Sequence, residues 1–210
     1  MTRKLRFLFK TAIAFSLLYG LFVLFFLQEV SVFGDSFLAA CEERGVSLPL
    51  KEPRILVDVS DSTLSIFEGD KLVRRYDIAT GDSQFTGALR PSTDSTPTGE
   101  YHVIRKAKRE NVLFQGSRFL ELDFPSDDDI EAAWDQGLID AVEYERYYDV
   151  RRATGRPPTD LAISRSIGIR GNYFAISGAK STNGSIALSN GDINEIFDHI
   201  PLGTPVVIQP

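Results

Sequence analysis

Few residues in this chain suit a reactive or cross-linked site. Its 210 residues include one cysteine, Cys41, and two histidines, His102 and His199. A single cysteine excludes an intrachain disulfide. His102 lies in the strand-like run "EYHVI" and His199 at the end of "EIFDHI", so each reads as a surface or half-buried residue. Basic charge is also scarce. Lys and Arg number 23 against 29 Asp and Glu, a net charge of −6. Four of the basic residues, Arg3, Lys4, Arg6 and Lys10, crowd the first ten positions, so the body is more acidic still. Nucleic-acid binding needs a basic footprint, and this body has none, so no nucleic-acid partner is expected. No internal repeat is visible. The acidic run "SDDD" at 126–129 lacks the alternating spacing and glycine of a calcium loop and reads as the first turn of a helix. No metal and no cofactor is expected.

Hydrophobic residues make up 43% of the chain and charged residues 25%, the proportions of a globular protein with a real core. Residues 11–28, "TAIAFSLLYGLFVLFFLQ", carry no charge, and the apolar character continues through Val30, Val32 and Phe33. Such a run suffices to span a bilayer as a helix. The cationic residues before it favour a cytoplasmic amino terminus. The sequence therefore predicts a cytoplasmic basic segment over 1–10, a retained transmembrane anchor over 11–33 and a linker over 34–53. A domain facing the extracytoplasmic side, the periplasm, would then occupy 54–210. A cleaved signal would have a shorter run and a small-residue cleavage site. "FLAAC" reads like a lipoprotein box around Cys41, but Gln28, Glu29 and Asp35 separate it from the apolar run. Cys41 reads instead as a lone thiol in the linker.

The body alternates short β-rich runs with polar loops. "RILVDVS" (54–60) is a strand, and "TLSIFEGDKLVRRYDIATG" (63–81) is a hairpin turning at Glu68-Gly69-Asp70. A long loop rich in Ser, Thr, Pro and Gly follows. "EYHVIRKA" and "RFLELDF" are further strands. The period then changes to helical over 126–155, with Ser126 as an N-cap, Asp140 with Glu143 as a capping box and Gly155 as a stop. Within this stretch Trp134, Tyr144, Tyr147 and Tyr148 recur at helical spacing and read as packing. "SIGIRG" (166–171) and "SIAL" (185–188) are strands, a short helix starts around Asp192, and "GTPVVIQ" closes the chain. Many strands with one helical insertion predict a β-rich α+β domain with a sandwich or barrel-like core.

The order of these pieces resembles the L,D-transpeptidase catalytic domain of bacterial cell-wall enzymes. "ILVDVSDSTLSIFEGDKLVRRYDIATGD" is similar to the family's first hairpin. "STPTGEYHV" is similar to its "TPxG" segment, through Thr96, Pro97 and Gly99. "PPTDLAISRSIGIRG" is similar to the stretch leading to its "IHG". "STNGSIALSNGDINEIF" is similar to its "SHGCIxLxNxD", and "IPLGTPVVI" to its last strand. The resemblance implies an L,D-transpeptidase-like β-sandwich or barrel with a helical insertion. It also implies a Cys nucleophile, a His acid and base, and backbone N–H groups that receive the oxyanion.

This chain replaces those side chains. Arg170 precedes Gly171 where the family has "HG", and Thr182-Asn183-Gly184-Ser185 stands where it has "SHGC". Ser185 therefore occupies the nucleophile position. A thiol near pKa 8.5 gives thiolate readily, whereas a Ser hydroxyl needs a positioned base, and Arg170 stays protonated. The expectation is a pseudoenzyme that binds a peptidoglycan stem peptide or a cell-wall protein. Arg170, Gly171, Asn183 and Gly184 would form the binding edge, with the Arg170 guanidinium taking a ligand carboxylate as a fork. A structural salt bridge to an acid of the helical insertion is the other role open to Arg170. The alternative for the whole chain is an active acyltransferase or carboxypeptidase using Ser185.

Overall fold

The structure, a computed structural model, describes residues 36–81, 89, 94–108, 115–172 and 182–210, with 16 and 19 as isolated positions. Apart from those two positions, the anchor expected over 11–33 lies outside the described residues. Among the described residues no helix is long and apolar enough to cross a membrane. Residues Phe37–Pro210 form one compact unit.

Its described residues form eight strands and four helices. They are α1 (Phe37–Glu43), β1 (Pro53–Asp58), β2 (Thr63–Glu68), β3 (Lys71–Asp77), β4 (Gly99–Lys108) and β5 (Gln115–Leu122), followed by α2 (Asp127–Asp135), α3 (Ala141–Thr154), β6 (Gly168–Asn172), β7 (Ile186–Leu188), α4 (Asn190–Phe197) and β8 (Pro205–Gln209). The strands form one sheet in the order β3-β2-β1-β8-β4-β5-β6-β7. Beyond β3, Ala79 pairs with Ala187 of β7 through two backbone bonds of 2.8 and 2.7 Å. This single bridge joins the two ends of the sheet into a nearly closed barrel.

Period-two alternation builds the barrel wall. In β1, Ile55 and Val57 point inward while Arg54, Leu56 and Asp58 are less buried. In β8, Val206 and Ile208 do the same beside them, in a parallel pairing of Ile55 with Val206. Tyr101 and Val103 of β4, Leu120 of β5, Ile169 of β6 and Ile186 and Leu188 of β7 continue the same buried core. Helix α4 covers β5 and β6 with Ile193, Ile196 and Phe197, spaced to share one helical face.

The helical insertion forms by local rules. Ser126 and Asp129 make a reciprocal capping box at α2, and Asp140 and Glu143 make one at α3. Gly155 ends α3 in the left-handed region. The acidic run at 126–129 is thus helix-capping chemistry. The aromatic set divides. Tyr147 is buried and bonds Asp127 and the Pro125 carbonyl, while Tyr144 and Tyr148 both bond Glu131 nearer the surface. Trp134 packs on Tyr144 yet stays 44% exposed.

One stretch differs from its expectation. Residues 37–50, expected as linker, belong to the compact unit. Phe37, Cys41 and Leu50 are buried in its core. Helix α1 packs on β3, and the Phe37 N–H donates to Glu195 of α4 at 2.9 Å. The Phe37 ring stacks on His199 at 5.5 Å. Burial pushes the Cys41 thiol up, so this cysteine acts as a small core side chain.

Candidate functional site

Thr182-Asn183-Gly184-Ser185 is a tight turn with positive φ at both central residues, 51° at Asn183 and 80° at Gly184. The Ser185 N–H closes it on the Thr182 carbonyl at 3.1 Å. This is the type I′ geometry that Asn-Gly favours. The turn feeds directly into β7, which runs parallel to β6 with Ile169 beside Ile186, Arg170 beside Ala187 and Gly171 beside Leu188. Ser185 therefore immediately precedes a strand paired with the strand that carries Arg170.

Two charged side chains hold the turn from different elements. Arg170 donates from Nη2 to the Thr182 carbonyl at 3.0 Å. Asp94 accepts from the Thr182 N–H at 3.2 Å and from the Gly184 N–H at 3.1 Å, one through each carboxylate oxygen. These are charge-assisted bonds to backbone donors, the stronger class. Thr182 itself is fully buried.

The segment after Asp94 is wedged between two glycines. A Cβ on Gly184 would lie 2.6 Å from the Ser95 carbonyl oxygen, and one on Gly81 would lie 1.5 Å from the Asp94 carbonyl oxygen. The Gly81 N–H donates to the buried Thr96 hydroxyl at 2.9 Å. Only glycine permits either approach. Arg165 completes this wall. Its Nη1 reaches the Ser95 carbonyl at 3.4 Å, and its guanidinium lies 5.5 Å from the Phe124 ring. Burial lowers its proton affinity, while Tyr101, Asp129 and Asp94 nearby support its charge.

The expected site residues thus divide. Arg170, Gly184 and Ser185 meet at the turn, Gly171 is a buried strand residue beside it, and Asn183 is exposed at its tip. Ser185 is 4% exposed. The histidines are engaged elsewhere. His102 lies 3.5 Å from Asp123, and His199 stacks on Phe37. Asn190 and Asp192 belong to the start of α4, whose N-cap is Ser189. Asp94 and Arg165 were not among the expected residues. The first lies in the long polar loop and the second in a plain Ser-Arg-Ser run, and neither has a local signal.

The family model for the L,D-transpeptidase catalytic domain (YkuD) matches residues 52–208. No curated protein matches. Among solved structures, Bd1075 of Bdellovibrio bacteriovorus is 17% identical, with a TM-score of 0.49 over 78% of this chain. A variant of the Enterococcus faecium L,D-transpeptidase is 14% identical, with a TM-score of 0.45 over 76% of this chain. The Xylanimonas cellulosilytica L,D-transpeptidase is 14% identical, with a TM-score of 0.44 over 81% of this chain and 68% of its own. The matches span 49% and 50% of the Bdellovibrio and Enterococcus chains, about half their length. A match covering most of the chain, from β1 through β8, means that the protein belongs to the L,D-transpeptidase catalytic domain family.

Proposed function

We propose that this protein is a membrane-anchored, extracytoplasmic member of the family that binds a peptidoglycan stem peptide or a cell-wall partner without acyl transfer. The observation that carries this reading is Ser185. It stands at the nucleophile position, nearly buried, while both histidines of the chain are engaged elsewhere, His102 beside Asp123 and His199 on Phe37. A serine without a positioned base is a poor nucleophile, and loss of a general base alone costs about 10²–10⁴-fold in rate. The binding edge is Arg170, Gly171, Asn183 and Gly184. The cationic first ten residues and the apolar run at 11–28 support an inner-membrane anchor with the body outside.

The test is sedimentation of the detergent-solubilised full chain with purified sacculi, followed by mass spectrometry after incubation with tetrapeptide muropeptides. The protein is expected to pellet with sacculi, and no adduct should form. Ser185→Ala should leave retention unchanged. Arg170→Ala should weaken it about tenfold, the equivalent of one charge-assisted contact. An adduct on Ser185 that the alanine variant abolishes would make the protein a serine acyltransferase. Protease added to spheroplasts should degrade the body, and full protection would refute the topology.

A further inference from the structure

We infer that the turn at Thr182–Ser185 is a carboxylate-binding site that the chain fills with its own Asp94, so that an external carboxylate enters only where Asp94 is removed or displaced. The two donors are the N–H groups of Thr182 and Gly184, and each meets a different oxygen of one carboxylate at 3.2 and 3.1 Å. That is how a cradle of backbone amides holds an anion. The bonds cross 88 and 90 residues, so they arise from the closed fold and not from local turn chemistry.

The surroundings fit a single negative group. Arg170 reaches the same turn through the Thr182 carbonyl, and the half-buried Arg165 holds the carbonyl of Ser95, the residue after Asp94. Asp94 is also fixed from behind. Ser95 and Thr96 are fully buried, and the Gly81 and Gly184 backbones close on the segment from either side. The carboxylate is therefore presented by a rigid tether at the position adjoining Ser185. A tethered group has an effective concentration that a dilute free carboxylate cannot match. The intact site accordingly excludes small anions while keeping the shape of a carboxylate receptor. This inference does not depend on whether the physiological ligand is peptidoglycan, because it concerns the chemical class of the group the turn accepts.

The experiment uses acetate as the probe and chloride at equal ionic strength as the control, on the full chain in detergent. In Asp94→Ala, acetate should shift the Gly184 and Thr182 amide resonances saturably. It should also raise the unfolding midpoint in proportion to the logarithm of its concentration, whereas chloride should do neither. Wild type should show neither effect, and Asp94→Asn, whose carboxamide still fills the space, should resemble wild type. Equal acetate shifts in wild type and Asp94→Ala would overturn the inference. So would an Asp94→Ala protein that acetate fails to perturb, or one that stays unfolded and is not restored by acetate.

Discussion

Asp94 and Asp129 each hold backbone amide groups with a carboxylate, but they do so on opposite scales. Asp129 accepts from the Ser126 N–H at 2.8 Å and the Ser126 hydroxyl at 2.9 Å, three residues away, and from the Tyr101 hydroxyl at 3.1 Å. Asp94 accepts from amides 88 and 90 residues away. The first carboxylate begins a helix and, through Tyr101, fastens that helix to the barrel. The second meets these two amides only once the barrel has closed. The helical insertion is thus stabilised by contacts that exist early and locally, while the candidate site takes its shape from contacts that require the whole fold.

Substitution at two glycines breaks or sharpens this contrast most directly. Gly184→Ala should cost about 3 kcal/mol, because a left-handed residue gains a methyl group jammed against the Ser95 carbonyl. Urea unfolding would measure it, and a loss below about 1 kcal/mol would mean that the 94–96 segment is not seated on the turn. Tyr101→Phe should cost about 1.5 kcal/mol, the value of a hydrogen bond to a charged group, since Asp129 loses its link to β4. Gly155→Ala should cost about 1 kcal/mol. Gly155 has a similar φ of 70°, but no atom lies within 4 Å of its added Cβ. The difference between the two glycine variants therefore isolates packing at the site from backbone strain.

The smallest effect is one of pH. Burial raises the Asp129 carboxyl above its ordinary value, against the pull of the Ser126 and Tyr101 donors. The folded chain then binds this proton more tightly than the unfolded chain does. The resulting stability is fully present below the unfolded carboxylate value of about 3.9 and is lost as pH rises through the raised folded value. The advantage of wild type over Asp129→Asn should therefore narrow as pH rises above the unfolded carboxylate value of about 3.9 in paired unfolding curves. An advantage that widens with pH would show that the donors outweigh burial.

The same difference of scale explains how much of this protein was legible in its sequence. The capping boxes at Ser126 and Asp140 span three residues, and both were readable, as was the stop at Gly155. The strands were readable because Ile55, Val57, Val206 and Ile208 alternate with less buried neighbours. Gly184 and Ser185 were located through the resemblance of Thr182-Asn183-Gly184-Ser185 to the family's "SHGC" segment. Helix α1 was missed because Phe37, Cys41 and Leu50 are few and scattered, and their burial depends on β3 and α4. Asp94 was missed for a related reason. Within "RPSTDSTPTG" it is one polar loop residue among many, and only closure of the barrel brings it to the turn.

The Ala79–Ala187 bridge also governs how copies of this protein behave in company. An open sheet ends in rows of unpaired amides that a stray chain can extend into a polymer. Here β7 is three residues long and fully buried, and its middle residue already has Arg170 on one side and Ala79 on the other. The opposite end, β3, carries Lys71, Arg74, Arg75 and Asp77 and lies against α1. One end is too short to template a newcomer and the other too charged and covered to welcome one. The sheet is therefore protected against growth by strand addition at both of its ends.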